Sequence, residues 1–242
     1  MLRSAFLWLA GLTGAMASDS IADVGRGFEN PPDDVRIMMR WWWFGPSVSK
    51  PELEREMRLM QEGGIGGFEV QPVYPLQLEG NFPYLSDEFL DALRFTATKA
   101  RELGLRMDLT LGSGWPFGGP HIPITHAAGR LLAVTIDVPA GETGARVRKL
   151  AEGEKFLAAF AGSERLPDPV DGVLQVKGPQ KVRYFIAGRT RMMVKRASVG
   201  AEGFVLDHYN RVAIDRHLKV VGDRLAQTFG SNPPYAIFSE LG

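Results

Sequence analysis

The stretch Leu105–Pro120, LRMDLTLGSGWPFGGP, decides how this chain is read. Met107, Leu109 and Leu111 alternate with Asp108, Thr110 and Gly112, so an extended segment here has one apolar and one polar face. The strand then enters a glycine-rich turn holding Trp115, Pro116, Phe117 and Pro120. A half-polar strand feeding an aromatic loop is a common way to build a binding mouth in α/β proteins, and the same residues also suit an ordinary tight turn.

Upstream, the pattern repeats. Ser86 caps a helix over Ser86–Leu103 whose stripe is Phe89, Leu90, Leu93, Ala97, Ala100 and Leu103, with Gly104 as its stop. Before it, Gly66–Pro72 alternates Phe68 and Val70 with Glu69 and Gln71. Ser49-x-x-Glu52 has the spacing of a capping box, and Leu53, Met57 and Met60 recur at helical intervals until Gly63-Gly64. The first strong strand signal is Val35–Phe44, VRIMMRWWWF, preceded by a polar lead-in over Asp19–Asp34 that reads as extended. Its tryptophans must point both ways, so Trp42 or Trp43 is a stacking platform or a core residue.

Strand, helix, strand, helix, strand with short links is the rhythm of a parallel sheet. Central strands of an open sheet are apolar on both faces, whereas these keep a polar face carrying Glu69, Gln71, Asp108 and Thr110. A barrel that collects such residues at its mouth accounts for that face better. From Arg130 the texture changes: Leu132, Val134, Ile136 and Val138 alternate, and Lys155–Ala161 and Val182–Ala187 read as further short strands. Arg191–Ala197 and Phe204–Leu206 are strand-like, His208–Phe229 is helical, and Tyr235–Phe238 begins another strand. The expected fold is therefore α/β, a partial (β/α)8 TIM-type barrel with an inserted antiparallel β excursion. Its segments are a leader over 1–17, the first part of the barrel over 18–129, the insert over 130–188 and the barrel continuation over 189–242.

Composition narrows the function. Lys and Arg number 28 against 28 Asp and Glu, so net charge offers no attraction to nucleic acid or an anionic membrane. With 45% hydrophobic residues the chain can bury a core. It has no cysteine, which excludes disulfides and thiolate chemistry. Arg3, the apolar run Ala5–Thr13 and the Ala15-Met16-Ala17 end form the three-part pattern of a secretory signal, predicting cleavage after Ala17 and a secreted or periplasmic protein. No later segment is long and apolar enough to span a bilayer.

Several chemistries fail on detail. Gly112-Ser113-Gly114 follows a strand, but Pro116 and Pro120 fit a nucleotide-binding helix start poorly, and no Gly-Lys-Ser/Thr element is present. His121 and His126, or His208 and His217, lack the spacing of a zinc-protease helix, and Ser113 lacks a nucleophile elbow. Carboxylates fit better. Glu69, Asp108, Asp207 and Glu240 all fall in or at the end of predicted strands, where a barrel gathers them at one mouth. Two carboxyl groups across a bond are what glycoside hydrolysis requires, and clustered carboxylates also suit calcium. For each of them the alternative is a structural ion pair.

At this point the sequence resembles a family. Phe28-Glu29-Asn30-Pro31-Pro32, Arg40-Trp41-Trp42-Trp43-Phe44, Gly64–Val70 and Gly112–Pro120 occur in the order found at the start of the catalytic domain of glycoside hydrolase family 106, the α-L-rhamnosidases and their relatives. Val194–Ala197 and Gly203–Asp207 are similar to the same family after its β insertion. The resemblance implies a barrel, a secreted enzyme acting on polysaccharides, inverting hydrolysis of terminal α-L-rhamnosides by two carboxylates, and a calcium ion near the sugar. It puts Glu240 at the family's first acidic position, as catalytic candidate, and the second catalytic carboxylate beyond Gly242. Trp42, Trp43, Glu69, Asp108, Trp115 and Asp207 are the candidate substrate-binding residues. A complete barrel takes about 250 residues, so the chain is expected to be the first part of a longer catalytic domain. The alternatives are a non-catalytic carbohydrate-binding protein and a barrel glycosidase acting on another sugar.

Overall fold

The structure, a computed structural model, describes residues 20–31, 35–77 and 79–239. The expected leader and Glu240 lie outside the described residues. The first element is helix α1 (Ile21–Glu29), where the sequence suggested an extended lead-in. The signal overlooked was Ser20-x-x-Asp23: Ser20 Oγ accepts from the Asp23 amide while the Asp23 carboxylate accepts from the Ser20 amide. The helix buries none of its residues, so the cap, not packing, defines it.

The alternation of strand and helix then proceeds as read: β1 (Met38–Phe44), α2 (Lys50–Glu62), β2 (Gly67–Val73), α3 (Asp87–Glu102) and β3 (Arg106–Thr110). Ser86 caps α3 through the Phe89 amide. Ser49 begins α2 without a side-chain cap, and Glu52, the partner expected for a capping box, is engaged by Arg55. After β3 the chain makes the short β4 (Gly118–Gly119) and enters the excursion: β5 (Gly129–Val138), β6 (Thr143–Arg146), β7 (Lys155–Ala161), β8 (Glu164–Leu166), β9 (Val173–Lys177) and β10 (Gln180–Arg189). It returns through β11 (Phe204–Val205), helix α4 (Arg211–His217), a π-helical turn at Leu218–Gly222, helix α5 (Asp223–Phe229) and β12 (Ala236–Phe238). Arg191–Ala197 is not a strand but a loop with isolated bridges at Met193 and Lys195.

The fold is mixed α/β. β1, β2, β3 and β12 form a four-stranded sheet in that order, parallel throughout, and the described strands do not close into a barrel. One face of this sheet packs against the helices. Trp43, Phe68, Val70, Met107 and Leu109 meet Leu53 and Met57 of α2, Phe89 and Leu93 of α3, and Leu225 and Phe229 of α5. Burying each such large side chain contributes about 1.5–3 kcal/mol, which fixes the register, since a one-residue slip would turn the polar set inward. The opposite face carries Arg40, Trp42, Glu69, Gln71, Asp108 and Thr110, paired across the strands as Arg40–Glu69–Asp108 and Trp42–Gln71.

The excursion has its own core. β5, β10, β7 and β8 form an antiparallel sheet, β6 pairs with β9, and Val138, Leu174, Val182, Tyr184 and Ile186 are buried between them. On its way back the chain pins the loop after β3. β11 pairs with β4, and isolated bridges join Trp115 to Lys195 and Ala127 to Leu206. Among the described residues no helix is long and apolar enough to cross a membrane.

Candidate functional site

The C-terminal ends of β1, β2 and β3 all open toward the glycine-rich loop over 112–120. That loop is held tightly. Gly114 has φ +71°, and a Cβ there would lie 2.1 Å from the Lys195 carbonyl oxygen, so only glycine fits. Trp115 and Lys195 exchange backbone hydrogen bonds of 3.0 and 2.8 Å. Ser113, almost fully buried, bonds through Oγ to the Pro72 carbonyl at 3.0 Å and to Ser198 Oγ at 2.7 Å.

These restraints place the indole of Trp115 against that of Trp42, with centroids 5.6 Å apart. Trp42 sits 6.0 Å from Phe44, and Phe44 sits 5.6 Å from Tyr74, the residue that follows β2. The guanidinium of Arg196 closes the line, 5.6 Å from the Tyr74 ring. The result is a continuous aromatic row across the strand ends, from Trp115 through Trp42 and Phe44 to Tyr74, ending in a cation. All four rings are partly exposed. Among the described residues the indole N–H groups of Trp42 and Trp115 are buried without a partner, as is that of the core residue Trp43, at a cost of about 1–3 kcal/mol each.

Below Trp42 the sheet supplies polar groups. Gln71 and Thr110 are buried, and the Thr110 hydroxyl lies between the Gln71 side-chain amide and Glu69, 2.5 Å from Glu69 Oε1. Glu69 Oε2 accepts from Arg40 Nε at 2.9 Å. Asp108 takes both ends of a fork from Arg106, at 2.9 and 2.8 Å, and Arg106 in turn lies over Tyr235. Glu69, Asp108, Arg40 and Phe238 line a shallow cleft on this polar face. Both carboxylates stand in mid-strand, set back from the strand ends where the row lies.

The remaining candidates are placed elsewhere. Trp43 is 1% exposed, edge-on to Phe89 on the helix side of the sheet, and presents no face to a ligand. The expectation of a platform there is corrected by strand parity, which sends Trp42 and Trp43 to opposite faces. Asp207 is held by Arg189 at 3.0 Å and accepts from the Tyr209 amide, so it ties β10 to the approach of α4 and is not part of the row. Tyr74 is not among the residues singled out in the sequence, and Phe44 and Arg196 stand there only within the motifs that carry the family resemblance. Tyr74, immediately after the alternating strand and before Pro75, was the one signal available.

The loop's far side rests on histidine. Phe117 stacks on His217 at 5.4 Å, and His217 Nε2 donates to the Leu111 carbonyl at 2.8 Å. A neutral His217 therefore presents Nδ1 as an acceptor, and His121 Nε2 donates to it at 3.0 Å. Burial, then the neighbouring His217 and Arg216, lower the His121 pKa to about 4, and burial lowers that of His217 as well. Among the described residues no group of three or more His, Asp or Glu side chains converges on a point where a metal ion could sit, and the carboxylates nearest the row are already held by arginines. The described residues thus do not fit the calcium site that the resemblance implies.

A parallel α/β sheet with aromatic rings and amide or hydroxyl groups at its strand ends offers stacking faces and hydrogen-bonding groups to a small ligand. Comparison with known proteins makes the class specific: the sequence profile of glycoside hydrolase family 106, described as alpha-L-rhamnosidase, matches residues 29–165. The chain belongs to that family. A protein of Formosa agariphila, provisionally named a beta-glucuronidase, is 29% identical over 126 residues, which cover 50% of this chain and 11% of that protein. The structure of the rhamnosidase from Novosphingobium sp. PP1Y superposes with a TM-score of 0.60 at 12% identity, covering 85% of this chain and 38% of that one. At that identity the likeness shows the fold alone. The chain thus spans well under half the length of either protein.

Proposed function

We propose that this chain forms the sugar-binding first part of a (β/α)8-type catalytic barrel that hydrolyses terminal α-L-rhamnosides. The observation that carries this reading is the aromatic row from Trp115 to Tyr74, set at the strand ends of a chain that belongs to the rhamnosidase family. Trp42 and Trp115 stack on the C–H face of the sugar, while Gln71 and Thr110 are the nearest buried hydrogen-bonding groups. In an inverting hydrolase one carboxylic acid protonates the departing oxygen and a carboxylate draws a proton from the attacking water on the opposite face. Glu240 is the candidate for one of these roles. Export of the protein through Met1–Ala17 belongs to the same proposal.

The test, made on the complete catalytic domain, is release of nitrophenol from 4-nitrophenyl α-L-rhamnoside, with the β-glucuronide as comparison. Turnover of the rhamnoside supports the proposal, and turnover of the glucuronide alone replaces rhamnose with another sugar. The described carboxylates Glu69, Asp108 and Asp207 are each held by an arginine, which favours a second reading in which these residues bind sugar without catalysis. Binding without turnover would select it.

A further inference from the structure

We infer that His217 and His121 form an acid-sensitive latch on the loop that carries Trp115, so that the aromatic row loses its sugar when both histidines are protonated. The inference rests on the carbohydrate reading of the row and adds a control over it.

His217, at the end of α4, meets the loop over 111–122 at three points. Its Nε2 donates to the Leu111 carbonyl at 2.8 Å, its ring stacks on Phe117 at 5.4 Å, and its Nδ1 accepts from His121 Nε2 at 3.0 Å. Trp115 lies between the first two of these points in the chain. On its other side the same loop is joined to the returning chain at Lys195. His217 therefore acts on the row as a positioning residue, through the loop and without touching the sugar.

The proton count decides when the latch opens. With Nε2 committed to Leu111, neutral His217 has one lone pair left, on Nδ1, and His121 fills it. A first proton can enter His121 at Nδ1, beside Gly119, and leave that bond intact. A second proton has only His217 Nδ1 to occupy, where it sets two N–H donors against each other across 3.0 Å. One ring must then turn away. If it is His217, the Leu111 carbonyl and Phe117 are abandoned together; if it is His121, the loop loses its side-chain tie to α4. The surrounding charges do not offset this. Arg216 bonds the His121 carbonyl, and His208 adds a further positive charge near His217. Asp207, beside His208, is held by Arg189, and Asp215 on α4 is held by Arg211. Burial disfavours charge on both rings, so the second proton enters only in acid.

The experiment titrates the full chain with methyl α-L-rhamnoside from pH 7.5 to 4, reading tryptophan fluorescence for binding and far-UV circular dichroism for folding. Affinity is expected to hold down to about pH 6 and to be about tenfold weaker at pH 4, while the dichroism stays native. His121→Gln should keep its affinity across the range, because an amide can donate to Nδ1 and, turned over, accept from it. Without sugar, the indole N–H resonance of Trp115 should move on acidification before that of Trp43, which is buried on the helix side of the sheet. Wild-type affinity unchanged at pH 4, or an equal fall in His121→Gln, would overturn the inference and leave the sugar site intact. So would a loss that only follows the dichroism, with Trp43 and Trp115 moving together. Failure to bind at pH 7.5 would overturn the carbohydrate reading itself.

Discussion

Trp115 and Lys195 hold each other through a reciprocal pair of backbone hydrogen bonds, 3.0 and 2.8 Å long. One residue follows the third strand of the parallel sheet, while the other lies beyond the whole antiparallel excursion. The row of rings therefore depends on the chain's return from that excursion. A loop that glycine and proline alone would leave adaptable becomes a fixed wall.

Gly114 permits this closeness, so Gly114→Ala is the sharpest test of it. A methyl group would meet the Lys195 carbonyl at 2.1 Å with φ at +71°. The expected loss is at least about 1–3 kcal/mol, because both strain and a clash must be relieved. Urea denaturation measures the loss, and the same variant should show weaker sugar binding. Wild-type stability would mean that the two segments are less tightly joined.

The three adjacent tryptophans should behave in two ways. Trp43→Ala removes a core side chain and is expected to cost about 3–5 kcal/mol. Trp42→Ala should cost less, since Trp42 is partly exposed and lies on the other face, yet it should abolish stacking of a sugar. A comparison of melting midpoints with titrations by aryl rhamnoside separates the two. Equal destabilisation with unchanged binding would make Trp42 a core residue.

Glu69 and Asp108 are candidate substrate-binding residues, and their arginine partners add a cost in stability to the removal of either. Asp108→Ala removes the two hydrogen bonds that the Arg106 fork makes to this carboxylate on a partly buried surface, at a cost of about 1.5–3 kcal/mol. Glu69→Ala strips both Arg40 and Thr110 of a partner and should cost less, because Arg40 is 41% exposed and can turn to water. Denaturant midpoints show these losses directly. Unchanged midpoints with lost sugar binding would return both residues to the ligand.

The His121–His217 contact predicts a dependence on pH. In an unfolded chain both titrate near 6.5. In the folded protein both are held lower, His121 at about 4, so below pH 6.5 the unfolded chain binds more protons. Stability present above pH 6.5 should therefore fall as pH drops toward 4. Arg216, on the His121 carbonyl, and His208, near His217, add positive charge that sharpens the fall. Melting midpoints from pH 7.5 to 4 measure the slope, and His121→Gln should flatten it. A slope unaffected by that change would place the titration elsewhere.

Much of the parallel sheet was legible because its signals are local. Alternation in Phe68–Gln71 and Met107–Thr110, and the helical stripe from Phe89 to Leu103, each specify an element within a few residues. Helix α1 is hidden in the sequence because its signal is confined to Ser20 and Asp23, beside a polar segment whose Pro31-Pro32 pair signals extended chain. The site was half legible. Trp42 and Trp115 stood out as aromatic residues in a strand and its loop, but whether Trp42 or Trp43 faced the ligand turned on a parity that the triplet itself does not reveal. Tyr74 and Arg196 join the row only through contacts distant in sequence, and the left-handed turn at Arg196 carries no glycine to announce it.

The measurement that bears most directly on the central claim follows the indole N–H resonances of the chain's five tryptophans by nitrogen-15 NMR during titration with methyl α-L-rhamnoside. Single Trp→Phe variants assign them. A sugar stacked on the row should shift Trp42 and Trp115 and leave Trp43, on the far side of the sheet, where it was. Shifts at Trp43 alone, or none at any tryptophan up to saturating sugar, would contradict the account.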